Sequence, residues 1–284
     1  MRAPARFGAL VVLVVARSSC VSTAGETACV ANSTTVCGSG KAKWVSVKLD
    51  GWEEDDPIAS LVLDAPVDAQ LVRGFLRAGK LRLRIDENFA EHIHLKARVL
   101  DRDRGLIVVE DRSSKRFLSP RGKHCPKKLK VPLAGSRVGA LYQLPHAGSI
   151  YSRRRLRIQD VTDIYSLGDR PLHFRRLLGR ELSLRALGSK PIRVRRGRVD
   201  SLLVFTNNNA TFTQDASRIR SDRVVVYMPR AAHVRVNAAQ QLVVYALDYG
   251  SDENYYQGTV GYKGSPKVEL HGPVPKERVF KIRK

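Results

Sequence analysis

Aromatic residues are scarce in this sequence. Phe, Trp and Tyr together make up 7% of 284 residues. A core must therefore be built mainly from Val, Leu, Ile and Ala, within a hydrophobic share of 43%. Long apolar runs are scarcer still. Only Phe7 to Ala16 (FGALVVLVVA) forms one, and it is too short for a comfortable transmembrane helix. Catalytic signatures are missing: there is no G-x-S-x-G elbow, no H-E-x-x-H, no P-loop and no G-x-G-x-x-G. With four cysteines and no C-x-x-C, a structural zinc site is not expected either. The chain is thus expected to be no enzyme and to need no cofactor. Acids are in deficit: 27 Asp and Glu face 50 Lys and Arg, a net charge of +23. That excess is silent on fold and favours anionic partners: nucleic acid, acidic polysaccharide or anionic headgroups.

The N-terminus narrows the choice. Arg2 and Arg6 precede the apolar run, and Ser22-Thr23-Ala24 places small residues before Gly25. Residues 1–24 match a secretory signal peptide; an organelle transit peptide and an uncleaved anchor are the rival readings. A mature protein that is secreted or displayed at the cell surface, with no transmembrane segment, is expected, and nucleic acid is not. Residues 25–42 are expected to form a flexible leader. There Cys29 and Cys37 are disulfide candidates, with a bridge from one of them to Cys125 as the alternative. Asn32 and Asn209 head N-x-S/T sequons and are candidate glycosylation sites.

Alternation then dominates. Lys43 to Asp50 (KWVSVKLD) and Leu81 to Ile85 (LRLRI) read as half-buried strands, the second with Leu81, Leu83 and Ile85 inward and Arg82 and Arg84 outward. Further short strands are expected at Ile58–Leu63, Ala69–Arg73, Ile93–Val99 and Leu106–Val109, and again at Val224–Tyr227, His233–Val236, Leu242–Ala246, Thr259–Tyr262 and Lys267–Leu270. Gly, Asn, Asp and Pro punctuate them. Short strands at rung-like intervals specify an all-β fold, either a sandwich or a solenoid.

Two steps carry a resemblance. One is Asp86-Glu87-Asn88-Phe89 after a strand, followed by a strand pair around a turn. The other is Tyr262-x-Gly264-x-Pro266-Lys267-Val268 near the end. Together they resemble the head-GIN domain, a family of secreted and cell-surface proteins described as autotransporter adhesin heads. The resemblance spans residues 43–272. It implies a right-handed β-solenoid, a β-helix-like stack of short strands, acting as an adhesin or binding module. Residues 273–284 would follow as a basic tail.

The middle of the chain is the basic part. Residues 112–130 hold eight Lys and Arg and no acid, and with Gly122, Pro120 and Pro126 they read as a loop insertion. Arg153-Arg154-Arg155 and Arg193, Arg195 and Arg196 follow. Arg193 and Arg195 flank Val194, so a strand would point both to one side. With Lys127 and Lys128 these six arginines are the candidate polyanion contacts, the partner being an acidic polysaccharide or surface glycan. A generally basic surface is the plainer alternative. Two other functions stay open: a polysaccharide-processing β-helix enzyme using Asp160 and Asp163, and a structural wall protein. His92 and His94 share a strand face, but no third metal ligand is specified. The aromatics mostly lie outside the basic runs, unlike a single-strand binder.

Overall fold

The computed structural model describes residues 35–37, 39, 41–54, 56–111, 117–119, 128–206, 211–227, 230–246 and 256–282. The signal-peptide stretch 1–24, Cys29, Asn32, Cys125, Lys127 and Asn209 lie outside the described residues.

Nineteen strands are formed among the described residues, and no α-helix. They are β1 (Thr35–Cys37), β2 (Ala42–Asp50), β3 (Ser60–Asp64), β4 (Asp68–Arg73), β5 (Lys80–Asp86), β6 (Leu95–Asp101), β7 (Leu106–Asp111), β8 (Phe117–Ser119), β9 (Lys128–Leu133) and β10 (Arg137–Gln143). The series continues with β11 (Ile150–Ser166), β12 (Leu172–Ala186), β13 (Ile192–Val194), β14 (Gly197–Thr206), β15 (Thr213–Tyr227), β16 (His233–Tyr245), β17 (Thr259–Lys263), β18 (Lys267–His271) and β19 (Val279–Lys281). From β10 onward every pairing is parallel. Successive coils stack into a β-solenoid of about six turns.

Register builds the core. Ile107, Leu61, Leu141, Ile164, Leu184, Val204, Val226, Val244 and Leu270 form one column, each paired with the next. All but Leu270, at the last rung, are buried. Like residues repeating at one position let the interior close-pack coil upon coil. As the composition implies, the core is mostly aliphatic: among the described residues its aromatics are Phe89, Phe174, Phe212 and Tyr256. Other aromatics stack outside on this first face. Ring centroids are 5.6 Å apart for Phe205–Tyr227, 6.0 Å for Tyr227–Tyr245 and 4.8 Å for Tyr245–His271.

The other end is capped. β2 pairs antiparallel with β5, β5 with β9, and β6 with β7. A solenoid needs such an end, because its first coil has no predecessor to bury its face. Here the simple alternation holds: Leu81, Leu83 and Ile85 are buried, and Arg82 and Arg84 exposed. The Asp86 step is structural. Asp86 is buried and accepts from Asn88 N–H at 3.1 Å, capping a single 3-10 turn, and from Ser39 N–H at 3.0 Å.

Two expectations are revised. The strands are not uniformly short: β11, β12, β15 and β16 run for 13 to 17 residues and bend around the corners of the coil at register shifts. The segment 273–284 is not only a tail, since β19 pairs with β17 through Val260↔Val279. Within the basic stretch 112–130, β8 pairs with β1 and β9 joins the main sheet.

Candidate functional site

An open groove of about 880 Å³ lies over β11, β12, β13 and β15. Its walls follow from strand register. Tyr151 pairs with His173, and His173 with Arg193, so the three form one outward row. Two residues further on, Arg153, Arg175 and Arg195 lie on the same side and line the groove with Arg218. Arg175 Nη1 donates to the Arg153 carbonyl at 3.4 Å, and Arg195 N–H to the Phe174 carbonyl at 2.9 Å, holding these positions rung to rung. Between them the buried Phe174, Ile192 and Val194 point inward.

Five arginines thus converge on one groove, and among the described residues none of them forms an ion pair. Asp215 also lines it, its Oδ1 accepting from Ser217 N–H at 2.9 Å, so that one carboxylate faces five guanidinium groups and the lining keeps a clear positive excess. Elsewhere the pattern differs: Arg98 pairs with Glu110 at 3.2 Å, Arg102 with Glu53 at 2.6 Å and Arg185 with Asp163 at 3.7 Å. Unneutralised guanidinium groups around a concave surface focus positive potential and suit sulfate, carboxylate or phosphate geometry.

His173 reports that field. Burial pushes its pKa below the ordinary value of 6.5, and the Arg193 charge pushes it the same way. The unfolded chain therefore binds this proton more readily than the folded one. The contribution to stability is present above pH 6.5 and is lost as pH falls through the folded value. An anion in the groove would offset the arginine field, so the His173 titration midpoint, followed by NMR of its ring protons, is expected to rise on saturation with a sulfated polysaccharide. A midpoint that stays put would mean that no anion binds beside it.

β13 has only three residues, and Gln214 holds it in place. Its Nε2 donates to the Ile192 carbonyl at 2.7 Å, and its Oε1 accepts from Ile192 N–H at 3.0 Å. A buried side-chain amide thus does for β13 what a backbone rung does elsewhere, and it fixes Arg193 and Arg195 beside it.

Of the residues singled out in the sequence, Arg153, Arg193 and Arg195 come together in the groove. Arg154, Arg155 and Arg196 are exposed but do not line it; Arg155 instead pairs with Arg176 across β11 and β12. Lys128 approaches from β9, its Nζ 5.7 Å from the centre of the Tyr151 ring. Asp163 belongs to the first face, held by Arg185. Asp160 lies on β11, and its side chain is outside the described residues. His92 lies in a turn and His94 just before β6, neither in a strand, and among the described residues no group of three or more His, Cys, Asp or Glu is placed to hold a metal.

Tyr151, His173 and Arg218 were not singled out, and Arg175, one of the basic residues of the middle, was not among the candidate contacts. A repeat would have flagged two of them. Leu-Gly-Asp-Arg-Pro-Leu-His-Phe-Arg-Arg (167–176) recurs as Leu-Gly-Ser-Lys-Pro-Ile-Arg-Val-Arg-Arg (187–196), which puts His173 over Arg193 and Arg175 over Arg195.

A β-solenoid with an antiparallel cap and a basic groove defines the class of fold. No protein-family model and no curated protein matches the chain. Solved structures do. A "putative adhesin" from Bacteroides fragilis NCTC 9343 is similar at a TM-score of 0.63 and 15% identity, over 87% of this chain and 100% of that one. A "putative adhesin" from Parabacteroides distasonis ATCC 8503 is similar at 0.53 and 13%, over 87% and 100%. Another, from Parabacteroides merdae ATCC 43184, gives 0.50 and 11%, over 88% and 100%. At these identities the likeness is one of fold.

Proposed function

We propose that this chain is an adhesin-like surface binding module of the head-GIN type that holds an acidic glycan in the groove of Arg153, Arg175, Arg193, Arg195 and Arg218. The observation that carries the reading is the convergence on one groove of five arginines that form no ion pair among the described residues. The solenoid fold shared with the adhesin-named structures supports a binding role. The signal-peptide pattern supports display outside the cell, where acidic polysaccharides are met. Charge pairing alone accounts for the interaction, and no bond is made or broken.

A diffuse basic surface would bind polyanions as well, so the test compares equal charge losses at two places. Arg193→Gln with Arg195→Gln alters the groove. Arg198→Gln with Arg220→Gln removes the same charge from an exposed pair in register on β14 and β15. Binding to heparin is measured across a salt series. The groove pair is expected to weaken binding about tenfold more than the control pair, and to flatten the salt dependence. Equal losses would establish a diffuse surface. No binding near physiological salt would remove the polyanion reading and leave a structural scaffold or an adhesin for an uncharged partner.

A further inference from the structure

The groove does not end at its own rim. Arg82 on β5 pairs with Lys130 on β9, and Lys130 with Gln70 on β4. Gln70 pairs with Tyr151, Tyr151 with His173 and His173 with Arg193. These six residues form one row across six strands, and directly paired residues share a face in parallel and antiparallel ladders alike. None of the six is buried. With rungs about 4.8 Å apart, the row is roughly 24 Å long. A second row runs beside it, where Arg84 pairs with Lys128 and Lys128 with Asp68. Asp68 Oδ1 accepts from Ser149 N–H at 2.9 Å.

The far end of the track is built. Trp44, 41% exposed, carries Arg82 Cζ at 4.8 Å and Lys130 Nζ at 4.5 Å from its ring centre. Aromatic faces hold cations in place at such distances. The same device recurs where Lys128 meets Tyr151. Two anchored cation clusters, at Trp44 and in the groove, are thus joined by a polar row along the stack axis.

We infer that the groove's ligand is an extended polysaccharide with regularly spaced anionic groups, laid along the stack axis from Arg193 to Arg82 and held by its charged groups at the two cation clusters. This rests on the polyanion reading of the groove and goes beyond it, since a compact anion would need only the groove. The spacing suits a sugar chain, in which one extended residue advances by about one rung. The aromatics separate this ligand from single-stranded nucleic acid, which stacks its bases on bare aromatic faces. Here the Trp44 ring is taken up by Arg82 and Lys130, the Tyr151 ring by Lys128, and Phe174 is buried.

The test measures binding of a heparin-derived tetrasaccharide, a heparin-derived dodecasaccharide and an oligo(dT) of matching length at one salt concentration. The proteins are the unaltered chain, Arg82→Gln with Lys130→Gln, and Arg193→Gln with Arg195→Gln. The dodecasaccharide is expected to bind the unaltered chain at least tenfold more tightly than the tetrasaccharide, beyond the statistical gain from overlapping registers. The Arg82/Lys130 pair is expected to lose roughly fivefold to tenfold for the dodecasaccharide and nothing for the tetrasaccharide. Should that pair unfold, Lys130→Gln alone must show the same direction at smaller size. Equal affinity for the two lengths, or an Arg82/Lys130 variant that binds the dodecasaccharide as the unaltered chain does, overturns the track. The groove reading then survives if Arg193→Gln with Arg195→Gln still weakens the tetrasaccharide. Loss of all heparin binding would overturn both. Oligo(dT) binding more tightly than the dodecasaccharide would overturn the choice of polymer.

Discussion

Gly188→Ala should melt about 6–12 °C below the parent protein, a loss of about 3 kcal/mol. Gly188 and Gly168 occupy the same corner in successive coils. A Cβ on Gly188 would stand 1.9 Å from the Gly168 carbonyl oxygen, inside any tolerable contact. That oxygen cannot retreat. Before the corner β11 and β12 are in parallel register from Val161↔Glu181 to Ser166↔Ala186, after it β12 and β13 from Leu172↔Ile192 to Phe174↔Val194, and Gly188 N–H donates to the Ser166 carbonyl at 2.8 Å. Relief requires the rungs to part at the corner, which opens the backbone ladder. Ser189→Ala, one residue along at an exposed position, serves as the control and should melt within about 2 °C of the parent. Thermal unfolding followed by circular dichroism decides the matter, and a Gly188→Ala melt as close as the control's would mean that the corner yields easily.

Gln214→Leu should be the costliest change near the groove that removes no charge. Leucine keeps most of the volume but satisfies neither the Ile192 N–H nor its carbonyl, both now bonded to Gln214. Two backbone groups left unpaired in a buried setting cost about 2–4 kcal/mol. The site should suffer too, because β13 carries Arg193 and precedes Arg195. Denaturant midpoints should fall at unchanged slope, exchange of the Ile192 amide should quicken, and heparin affinity should drop although every arginine is present. Unaltered protection of that amide would show that β13 does not depend on Gln214.

The cap was legible because period two survives in it. Its strands keep one wet face, so Arg82 and Arg84 alternate with Leu81, Leu83 and Ile85 in plain view. The short strands near the end, β17 and β18, were legible for a similar reason: Gly264 and Pro266 mark the corner between them. Gly264 has a φ of +97°, and a Cβ there would meet the Ala238 carbonyl oxygen, which gives the resemblance motif a physical cause.

The long strands were hidden by their own length. β11 turns a corner at Arg153-Arg154-Arg155, where three exposed residues in a row break the alternation and imitate a loop. The coil period is also uneven. Ile164 to Leu184 and Leu184 to Val204 are each 20 residues, but Val204 to Val226 is 22 and Val226 to Val244 is 18. Corners and bulges absorb the difference, so a fixed repeat shows in only two coils. The site was half legible. Arg193 and Arg195 follow from local alternation, but Arg218 reaches the groove from another coil, and Trp44 joins the cationic row only through pairings made across the cap. Aromatics that lie outside the basic runs in the sequence are thereby brought against basic side chains.

Parallel coils joined edge to edge also fix how such a body bears a load. Its hydrogen bonds run along the stack, from the cap strands to β18 and β19. Tension between the first and last coils pulls on those bonds one rung at a time, as in a zipper, rather than loading a whole strand in shear. Each coil that opens frees about 20 residues, or roughly 70 Å of extended chain. A ligand bridging Arg82 and Arg193 would span several of those rungs and act as a splint across them.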